Sequence, residues 1–342
     1  MVDRQEENMV RLEAGGLSNQ PVVEVLLAAY NGERFLRDQI DSILTQDYAN
    51  LRVLARDDGS SDGTVNILNE YAERFPERFR VMPPSPGTGS AKDNFLLLMQ
   101  ASTGNYISFS DQDDVWLPDK ISRTMQAMHQ LELKWEADTP LLVFTDLRVV
   151  DKELRPLHDS FWAYERIEPD RIDRLAFLLR RNVVTGCTAM LNRPLLEIAR
   201  RMPKEAAMHD HWVALLASVT GKSSAVRTPT VLYRQHDQNV VGAKKSRSIT
   251  EFIRRIFIND ARIVQWEISQ RQTRALLKIH RDELSTEDRR LLEAYLQCGT
   301  GNSRIVRIAT LIRYGFYRTS TMENIATLVD LWRMKVPSAD QP

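Results

Sequence analysis

Residues 106–118 read Tyr-Ile-Ser-Phe-Ser-Asp-Gln-Asp-Asp-Val-Trp-Leu-Pro, a short apolar strand that runs directly into acidic residues. Carboxylates packed at the end of a buried strand repel one another, and removing them from water costs free energy. A divalent cation relieves both costs, because Mg²⁺ and Mn²⁺ prefer carboxylate oxygens and share their other positions with water and phosphate. The stretch therefore predicts a metal site at a strand tip. The alternative is an acidic turn that caps the helix beginning near Pro118.

The chain before this stretch alternates between short apolar strands and helices. The predicted strands cover residues 22–29, 51–55 and 79–82, and the predicted helices cover residues 33–46, 62–74 and 92–101. Asp62 is predicted to be the N-cap of the second helix. This alternation is typical of an α/β fold with a Rossmann-like, mostly parallel sheet that helices cover on both faces.

Polar side chains follow three of the predicted strands. Asn31 follows the first strand, and Asp57 and Asp58 follow the second. Asp111 and Asp113 follow the strand at the start of the stretch quoted above. Because ligands of such sheets bind beyond the carboxyl ends of the strands, we expect these side chains to line one crevice.

The chain after residue 118 is less regular. Helices are predicted at residues 119–134, at 172–179, directly after Pro194 and around 210–218, and strands at 141–145 and 230–233. From residue 248 to about residue 335 the pattern is almost wholly helical. We therefore predict a flexible N-terminal tail at 1–20, a catalytic domain at 21–245 and a helical C-terminal extension at 246–342.

The composition excludes several classes of protein. The 342 residues include 46 Lys+Arg and 46 Asp+Glu, and this balance argues against a general nucleic-acid-binding protein. Two cysteines, Cys187 and Cys298, are too few for a disulfide framework and favour a reducing, cytoplasmic location. Residues 1–20 do not resemble a signal peptide, and no apolar stretch is long enough for a transmembrane helix. We therefore expect any membrane substrate to be reached from the surface, on the inner face of the cell membrane.

Four stretches, in this order, resemble the family-two glycosyltransferases of the GT-A fold, and among them the rhamnosyltransferase-like group. They are Val-Leu-Leu-Ala-Ala-Tyr-Asn-Gly at 25–32, Asp-Asp-Gly-Ser-Ser-Asp-Gly-Thr at 57–64, residues 110–118 and Tyr-Arg-Gln-His at 233–236. The resemblance implies an inverting transferase that moves a sugar, with rhamnose the leading expectation, from a nucleotide-diphosphate donor to a hydroxyl of a saccharide or lipid-linked acceptor. It also implies Mg²⁺ or Mn²⁺ as cofactor and a place in cell-surface polysaccharide synthesis.

The resemblance assigns donor-binding roles to residues near the strand ends. Asp57 or Asp58 would accept a hydrogen bond from the N3–H of a pyrimidine, and Asp111 would touch the ribose or the metal. The other donor-binding residues that it implies are Ala29, Tyr30, Asn31, Glu33, Lys92, Asn94 and Gln112. The same residue types also shape turns and cap helices, so both explanations apply to them.

Three residues carry the reaction that the resemblance implies. Asp113 would be the principal metal ligand, and His236 would complete the metal shell or contact the diphosphate. Asp210 would be the general base that deprotonates the acceptor, a role worth about 10²–10⁴-fold in rate. Since an unperturbed Asp has a pKa of about 3.9, the site should raise the pKa of this carboxyl group. His209 and His211, on either side of it, are also possible bases.

Two other functions stay open on the sequence. A nucleotidyltransferase usually has a glycine-rich, basic loop after the first strand, where this chain has Tyr-Asn-Gly-Glu at 30–33. A catalytically inactive GT-A module would bind a sugar or a partner, and the intact acidic residues argue against it. The segment 185–188 resembles part of an acceptor pocket, where Gly186 would let the backbone approach a sugar closely.

Residues 301–335 combine basic side chains with apolar residues at helical spacing. A basic amphipathic helix lies on an anionic membrane surface or, more commonly, packs on its own protein with a solvated basic face. The sequence leaves both explanations open, and peripheral membrane contact through these helices is the less common one.

Overall fold

The computed structural model describes residues 20–236, 261–301 and 303–334. The predicted N-terminal tail up to residue 19 and the predicted domain boundary at 245/246 lie outside these ranges.

A single curved sheet forms the centre of the described chain. Its nine strands are β1 Val23–Ala29, β2 Leu51–Asp57, β3 Phe79–Val81, β4 Tyr106–Ser110, β5 Val115–Trp116, β6 Leu141–Val150, β7 Pro156–His158, β8 Met190–Asn192 and β9 Lys222–Arg234. Their order is β3-β2-β1-β4-β8-β6-β9-β5, with β7 paired to β6. The first four neighbours are parallel, β6 and β9 are also parallel, and β8 joins β4 and β6 in antiparallel fashion. The predicted α/β fold with a mostly parallel sheet is confirmed.

The helices cover the sheet and continue into the C-terminal part. They are α1 Leu36–Leu44, α2 Thr64–Arg74, α3 Ala91–Ala101, α4 Lys120–Glu132, α5 Phe161–Glu165, α6 Leu175–Leu178, α7 Arg193–Ala199, α8 His209–Thr220, α9 Ala261–Ile279, α10 Thr286–Thr300, α11 Arg304–Tyr314 and α12 Thr321–Arg333. Short 3-10 turns occur at Pro169–Asp173 and Gly186–Thr188.

Alternate residues of β1 face two different hydrophobic cores. Val25 and Leu27 pack in one core with Ile40 of α1, whereas Leu26 packs in the other with Phe95 of α3. This alternation follows from the pleat of a strand that is buried on both faces.

The C-terminal helices pack on the catalytic part of the chain. Trp266, Tyr295 and Phe316 are buried in the same core as Leu26. The hydroxyl groups of Ser269 and Tyr295 both donate to the carbonyl oxygen of Leu179, at 2.6 and 3.2 Å. Packing on the chain's own catalytic part, the more common of the two explanations for this helical region, is therefore correct for the inner face of these helices.

Several bounds differ from the predictions because pairing partners distant in sequence decide them. β6 extends to Val150 and β9 begins at Lys222, since these two strands pair along most of their length. The short strands β5, β7 and β8 were not predicted, because two or three residues carry too little pattern to indicate a strand.

Candidate functional site

The loop after β1 is bonded to the loop after β2. The backbone N–H of Asn31 donates to Ser60 Oγ at 2.8 Å, and that of Gly32 donates to Thr64 Oγ1 at 2.8 Å. Asn31 adopts the left-handed conformation (φ 48°), which Asn tolerates better than most residues, and its Oδ1 accepts a hydrogen bond from the Ser61 N–H at 2.8 Å. The first two predicted donor-binding segments thus form one continuous surface.

Asp62 joins the same two loops, and its prediction as the N-cap of α2 is wrong by one position. The N-cap is Gly63, whereas Asp62 accepts hydrogen bonds from the backbone N–H groups of Thr64 (3.0 Å) and Glu33 (3.1 Å). Glu33 in turn accepts from the N–H of Gly63 at 2.9 Å. The carboxylates of Asp62 and Glu33 therefore shape these loops.

Gln112 connects the acidic strand tip to the turn after β1. Its side-chain amide donates to the carbonyl oxygen of Tyr30 at 2.8 Å and accepts from the Tyr30 N–H at 2.6 Å. A Cβ atom on Gly32 would lie 2.4 Å from Gln112 Oε1, so the contact needs glycine there. The Tyr30 side chain is 56% exposed, whereas Ala29 is buried and its carbonyl accepts from the Asp58 N–H at 2.8 Å.

The two carboxylates after β2 are both held by neighbouring groups. Asp57 accepts hydrogen bonds from the N–H groups of Gly59 and Ser60, both at 2.9 Å, and is partly accessible. Asp58 is buried, and its carboxylate pairs with the Arg56 guanidinium at 2.6 Å. The N–H of Thr88 also donates to Asp58 at 2.7 Å, and the guanidinium and these hydrogen bonds hold the pKa of Asp58 below its usual value although burial opposes them. Asp57 is therefore the better placed of the two to meet a ligand.

Lys92 and Asn94 both have hydrogen-bond partners within the chain. Asn94 is buried, and its Oδ1 accepts a hydrogen bond from the Arg56 guanidinium at 2.9 Å. Lys92 Nζ donates to the carbonyl oxygen of Lys204 at 2.8 Å. These contacts connect the first turn of α3 to β2 and to the segment before α8, and the predicted contact of either side chain with a nucleotide stays a prediction.

Acidic side chains converge at the tip of β4. The carboxylate of Asp113 lies 2.8 Å from His236 Nε2, which follows β9. Ligand atoms of Asp111, Asp114 and Cys187 lie within 4.8 Å of one another. Burial raises the pKa of Asp111 to about 7, and the negative charges of Asp113 and then of another acid, Asp210, add to this rise. These contacts bring together groups from β4, β9 and the segment before β8, while the predicted crevice shared with Asn31, Asp57 and Asp58 stays a prediction.

Arg234 fixes the backbone of this acidic tip. Its N–H donates to Asp114 Oδ1 at 3.1 Å, and its Nε donates to the carbonyl oxygen of Asp113 at 2.8 Å. The guanidinium also donates to Asp38 at 3.0 Å and packs over the Phe35 ring, with 4.5 Å to the ring centroid. Arg234 belongs to the Tyr-Arg-Gln-His motif, but the sequence did not indicate that it fixes the backbone of the acidic tip.

A buried ion cluster below the tip was also missed. Asp114 and Lys120 are both fully buried, and Lys120 Nζ lies 4.5 Å from the centroid of the Trp116 ring. Burial raises the pKa of Asp114 well above its ordinary value and lowers that of Lys120 to about 8. Cys187, also buried, belongs to the same cluster. The signal in the sequence was a lysine three residues after Leu117, inside an otherwise apolar helix face.

The residues at the tip fit a hard divalent cation. Asp113 and His236 offer a carboxylate oxygen and an imidazole nitrogen at one point, and both side chains keep some access to water. Mg²⁺ and Mn²⁺ prefer the carboxylate oxygen of this pair, imidazole is more typical of later transition metals, and the thiol of Cys187 is a soft ligand that hard cations disfavour. Asp114 already accepts from the Arg234 N–H, and its second oxygen has no hydrogen-bond partner in the described structure.

Asp210 lies in the first turn of α8, and its charge contributes to the raised pKa of Asp111. Its Oδ2 accepts a hydrogen bond from the Gly186 N–H at 3.1 Å, and its Oδ1 accepts from the His211 N–H at 2.6 Å. Burial raises the pKa of Asp210 to about 6, although these bonds and one from the Asn182 side chain act in the opposite direction. A carboxylate with this pKa is a stronger base than an ordinary Asp and is still ionised at neutral pH.

Gly186 is in close contact with the start of α8. A Cβ atom at this position would lie 2.7 Å from His209 Nε2 and 3.7 Å from the Cβ of Asp210. The structure thus gives this glycine a packing reason and places it beside Asp210, while the acceptor pocket that the resemblance implied for segment 185–188 stays a prediction.

The two histidines that flank Asp210 are poorly placed to accept a proton from a substrate. The His209 ring is buried against Phe95, with 4.0 Å between ring centroids, and burial lowers its pKa to about 3. His211 Nε2 lies 2.8 Å from the carbonyl oxygen of Leu178, and its Nδ1 lies 3.3 Å from Gln272 of α9. Asp210 is therefore the better candidate base.

An open cleft of about 920 Å³ lies between the β1 and β2 loops and the ends of β6 and β9. Its lining includes Asn31, Phe35, Asp62, Lys152 and His236. This volume is in the range of ligand-binding clefts, and it lies at the carboxyl edge of the sheet where α/β proteins bind ligands.

A mixed, mostly parallel sheet with acidic residues at its carboxyl edge is an α/β architecture suited to binding a nucleotide and a divalent cation. The model of the family described as Glycosyl transferase family 2 matches residues 24–198, and the chain belongs to this family. Membership decides against the nucleotidyltransferase alternative.

The chain is similar to several curated glycosyltransferases. It is 28% identical over 233 residues to the dTDP-rhamnosyl transferase RfbG of Shigella flexneri, covering 64% of this chain and 75% of that protein. It is 29% identical over 175 residues to a putative teichuronic acid biosynthesis glycosyltransferase, TuaG of Bacillus subtilis, covering 51% and 63%. The chain spans about half the length of two uncharacterised Rickettsia glycosyltransferases that it also matches.

Solved structures share the fold. The TarS fragment 1–349 of S. aureus, in complex with UDP, superposes with a TM-score of 0.57 at 12% identity, covering 91% of this chain and 89% of that one. The mannosyltransferase PcManGT of Pyrobaculum calidifontis, in complex with GDP-Man and Mn²⁺, gives 0.53 at 16% identity, covering 91% and 80%. The fold is therefore the GT-A fold, with C-terminal helices. Among the described residues no helix is both long and apolar enough to cross a membrane.

Proposed function

We propose that the chain is a metal-dependent, inverting glycosyltransferase that transfers a sugar from a nucleotide-diphosphate donor to a hydroxyl of a saccharide or lipid-linked acceptor. Two observations support the proposal: Asp113 contacts His236 at 2.8 Å, and the buried carboxyl group of Asp111 is influenced by the charges of both Asp113 and Asp210. The catalytic unit is residues 21–245, and residues 246–342 form an extension whose described helices, from residue 261 to 333, brace it.

Asp210 acts as the general base. The acceptor hydroxyl gives its proton to the Asp210 carboxylate while its oxygen forms a bond to the anomeric carbon. The bond from that carbon to the diphosphate oxygen breaks, its electron pair leaves with the nucleotide diphosphate, and the anomeric configuration inverts. Gly186 and Asn182 hold the carboxylate in place through the hydrogen bonds described above.

Asp113 and His236 hold the metal ion. When bound, Mg²⁺ or Mn²⁺ neutralises negative charge that builds on the departing diphosphate. Arg234 positions the backbone that carries Asp113, through its bond to the Asp113 carbonyl oxygen. Asp111, whose carboxyl group is influenced by the charges of Asp113 and Asp210, contacts the ribose or the metal.

The nucleotide binds over the loops after β1 and β2. Asp57 accepts a hydrogen bond from the base, and the exposed Tyr30 ring gives a surface on which the base or ribose packs. Asn31 and Glu33 line the same surface. Gln112, Asp58, Asn94 and Lys92 act indirectly, because their side chains hold the surrounding loops.

The preferred donor is dTDP-rhamnose, with UDP-sugars next. The similarity to a dTDP-rhamnosyl transferase supports this order, and the similarity to a teichuronic acid biosynthesis enzyme supports an acceptor in cell-surface polysaccharide synthesis. A lipid-linked acceptor would bring the chain to the inner face of the cell membrane as a peripheral protein.

The experiment is donor hydrolysis and transfer across a panel of nucleotide sugars, with and without Mn²⁺, with the anomeric configuration of the product read by NMR. We expect cation-dependent release of one nucleotide diphosphate and an inverted product. A chain that binds donors but never cleaves any of them would be an inactive GT-A module instead. A retained configuration would contradict the single displacement at Asp210.

A further inference from the structure

The last two helices expose large apolar side chains to solvent. Ile305 of α11 is 73% exposed, and Trp332 of α12 is 54% exposed. Ile312, Met322 and Ile325 are each about half exposed. We call these five residues, with Arg304 and Arg313, the docking face.

The spacing of these residues shows that each helix has a buried side and an exposed apolar side. In α11, Leu311 is buried while Ile305 and Ile312, seven residues apart, are exposed. In α12, Leu331 is buried while Ile325 and Trp332, also seven residues apart, are exposed. Each exposed stripe therefore runs along its helix, opposite the side that packs on the protein.

The two helices form one antiparallel pair. The guanidinium of Arg304, the first residue of α11, lies over the ring of Trp332 near the end of α12, with 5.4 Å to the centroid. The short connection 315–320 turns back at Phe316, which is buried. The two apolar stripes are thus neighbours on one part of the surface.

The charge of this pair of helices is one-sided. Arg304 and Arg313 are exposed. The two acidic side chains of the described segment 303–334 are both paired with arginines: Asp330 is buried and bonds to Arg262 at 2.8 Å, and Glu323 pairs with Arg318 at 3.3 Å. The exposed charge beside the apolar stripes is therefore positive.

We propose that the docking face binds an anionic lipid bilayer. Apolar side chains flanked by arginines match the boundary between acyl chains and negatively charged headgroups. Leaving these apolar side chains in contact with water is also unfavourable, because large exposed apolar patches carry a free-energy cost. This inference rests on the surface alone and goes beyond the proposed transfer reaction.

A second copy of the chain fits this face less well. Two copies that met through it would bring Arg304 and Arg313 of one next to the same residues of the other, and like charges repel. An anionic bilayer supplies the opposite charge and the apolar layer together.

The test is flotation of the full chain with phosphatidylcholine vesicles, with and without phosphatidylglycerol, at low and high salt. We expect recovery with the anionic vesicles, and less of it at high salt because ions screen the arginines. The variant Ile305→Gln/Ile325→Gln/Trp332→Gln should lower the partition coefficient about tenfold or more, and Arg304→Gln/Arg313→Gln should lower it by about tenfold or more on anionic vesicles alone.

Matched controls lie elsewhere on the surface. Leu133→Gln/Leu157→Gln removes equally exposed apolar side chains, and Arg274→Gln/Arg290→Gln removes exposed charges of α9 and α10. Both should float as the wild type does, with thermal unfolding and donor hydrolysis unchanged in every variant.

Three outcomes would overturn the proposal. They are equal recovery of the wild type with and without phosphatidylglycerol, equal flotation of wild type and docking-face variants, and a dimer that the triple substitution abolishes without any vesicle binding. The last would identify a second copy as the occupant. None of them bears on donor hydrolysis, so the proposed function fails or stands separately.

Discussion

The carboxyl edge of the sheet and the α11–α12 pair depart from the usual distribution of residues in opposite ways. At the sheet edge, ionisable side chains are taken out of water, and Asp114 and Lys120 are fully buried. On the helix pair, large apolar side chains are left in water, as Ile305 and Trp332 are. Buried charges and exposed apolar patches are both uncommon and both informative.

The two regions differ in where compensation comes from. The buried carboxylates accept hydrogen bonds from the chain itself: Asp114 accepts from the Arg234 N–H, and Asp210 accepts from the Gly186 N–H. Ile305 and Trp332 stay 73% and 54% exposed in the described structure, although the Arg304 guanidinium lies over the Trp332 ring. The first region is therefore organised before any ligand arrives, whereas the second needs a partner. Substitutions should separate the two regions: those at the edge should affect turnover, and those on the helix pair should not.

The largest effect is expected at Asp113. Asp113→Asn keeps the size of the side chain but weakens the site for a divalent cation, so transfer should fall on the order of 10³-fold. Initial rates at saturating donor and a fixed Mn²⁺ concentration near that which half-saturates the wild type measure this. Asp138→Asn, at an exposed aspartate, is the control and should leave rates unchanged. Near-normal turnover of Asp113→Asn would remove this residue from the mechanism.

The next effect is expected at Asp210. Asp210→Asn should lower kcat by about 10²–10⁴-fold because the base is lost, with donor affinity nearly unchanged. In the wild type, the raised pKa of about 6 means that the base becomes protonated, and kcat/KM falls, as the pH drops below that value. A pH–rate profile measures both. An unchanged acidic limb in the residual activity of Asp210→Asn would show that another group titrates.

A smaller effect is expected at Gly186. Gly186→Ala places a methyl group 2.7 Å from His209 Nε2, and overpacking of this kind costs about 1–3 kcal/mol of stability. Displacement of the neighbouring Asp210 should lower kcat by about 10²-fold or less. Urea unfolding and single-turnover rates measure the two parts. A variant with wild-type stability and rate would show that the contact is not tight.

The smallest effect on chemistry is expected on the docking face. Ile325→Gln and Trp332→Gln should leave transfer to a water-soluble acceptor within about twofold of the wild type, because surface substitutions usually change stability by no more than about 0.5 kcal/mol. The same assay with a lipid-linked acceptor in anionic vesicles should show a higher KM. Equal loss with both acceptors would mean that the helix pair supports the fold of the catalytic part.

The sequence predicted the parts of the molecule that short-range patterns determine. β1 and β4 are apolar runs that stop at polar turns, and Asp111 to Asp114 follow β4 directly. The same local pattern therefore predicted both the strands of the sheet and the acidic tip of β4. β8 could not be predicted, because three residues are too few to show a hydrophobic periodicity. Its place between β4 and β6 depends on pairing with strands that are distant in sequence.

Buried charged side chains were the other feature that the sequence did not reveal. Arg234 reaches Asp113 and Asp114 across about 120 positions, and no local pattern distinguishes such an arginine from a solvated one. The apolar stripes of α11 and α12 were visible as helical spacing, but only the structure shows which side packs inward.

The most direct test of the account is to measure the Mn²⁺ affinity by EPR in the presence of dTDP or UDP. The proteins to compare are the wild type, Asp113→Asn, His236→Gln and Asp138→Asn. If Asp113 and His236 hold the cation, both of their substitutions should weaken binding by about tenfold or more, and Asp138→Asn should bind as the wild type does. Equal Mn²⁺ affinity in all four proteins would contradict the central claim.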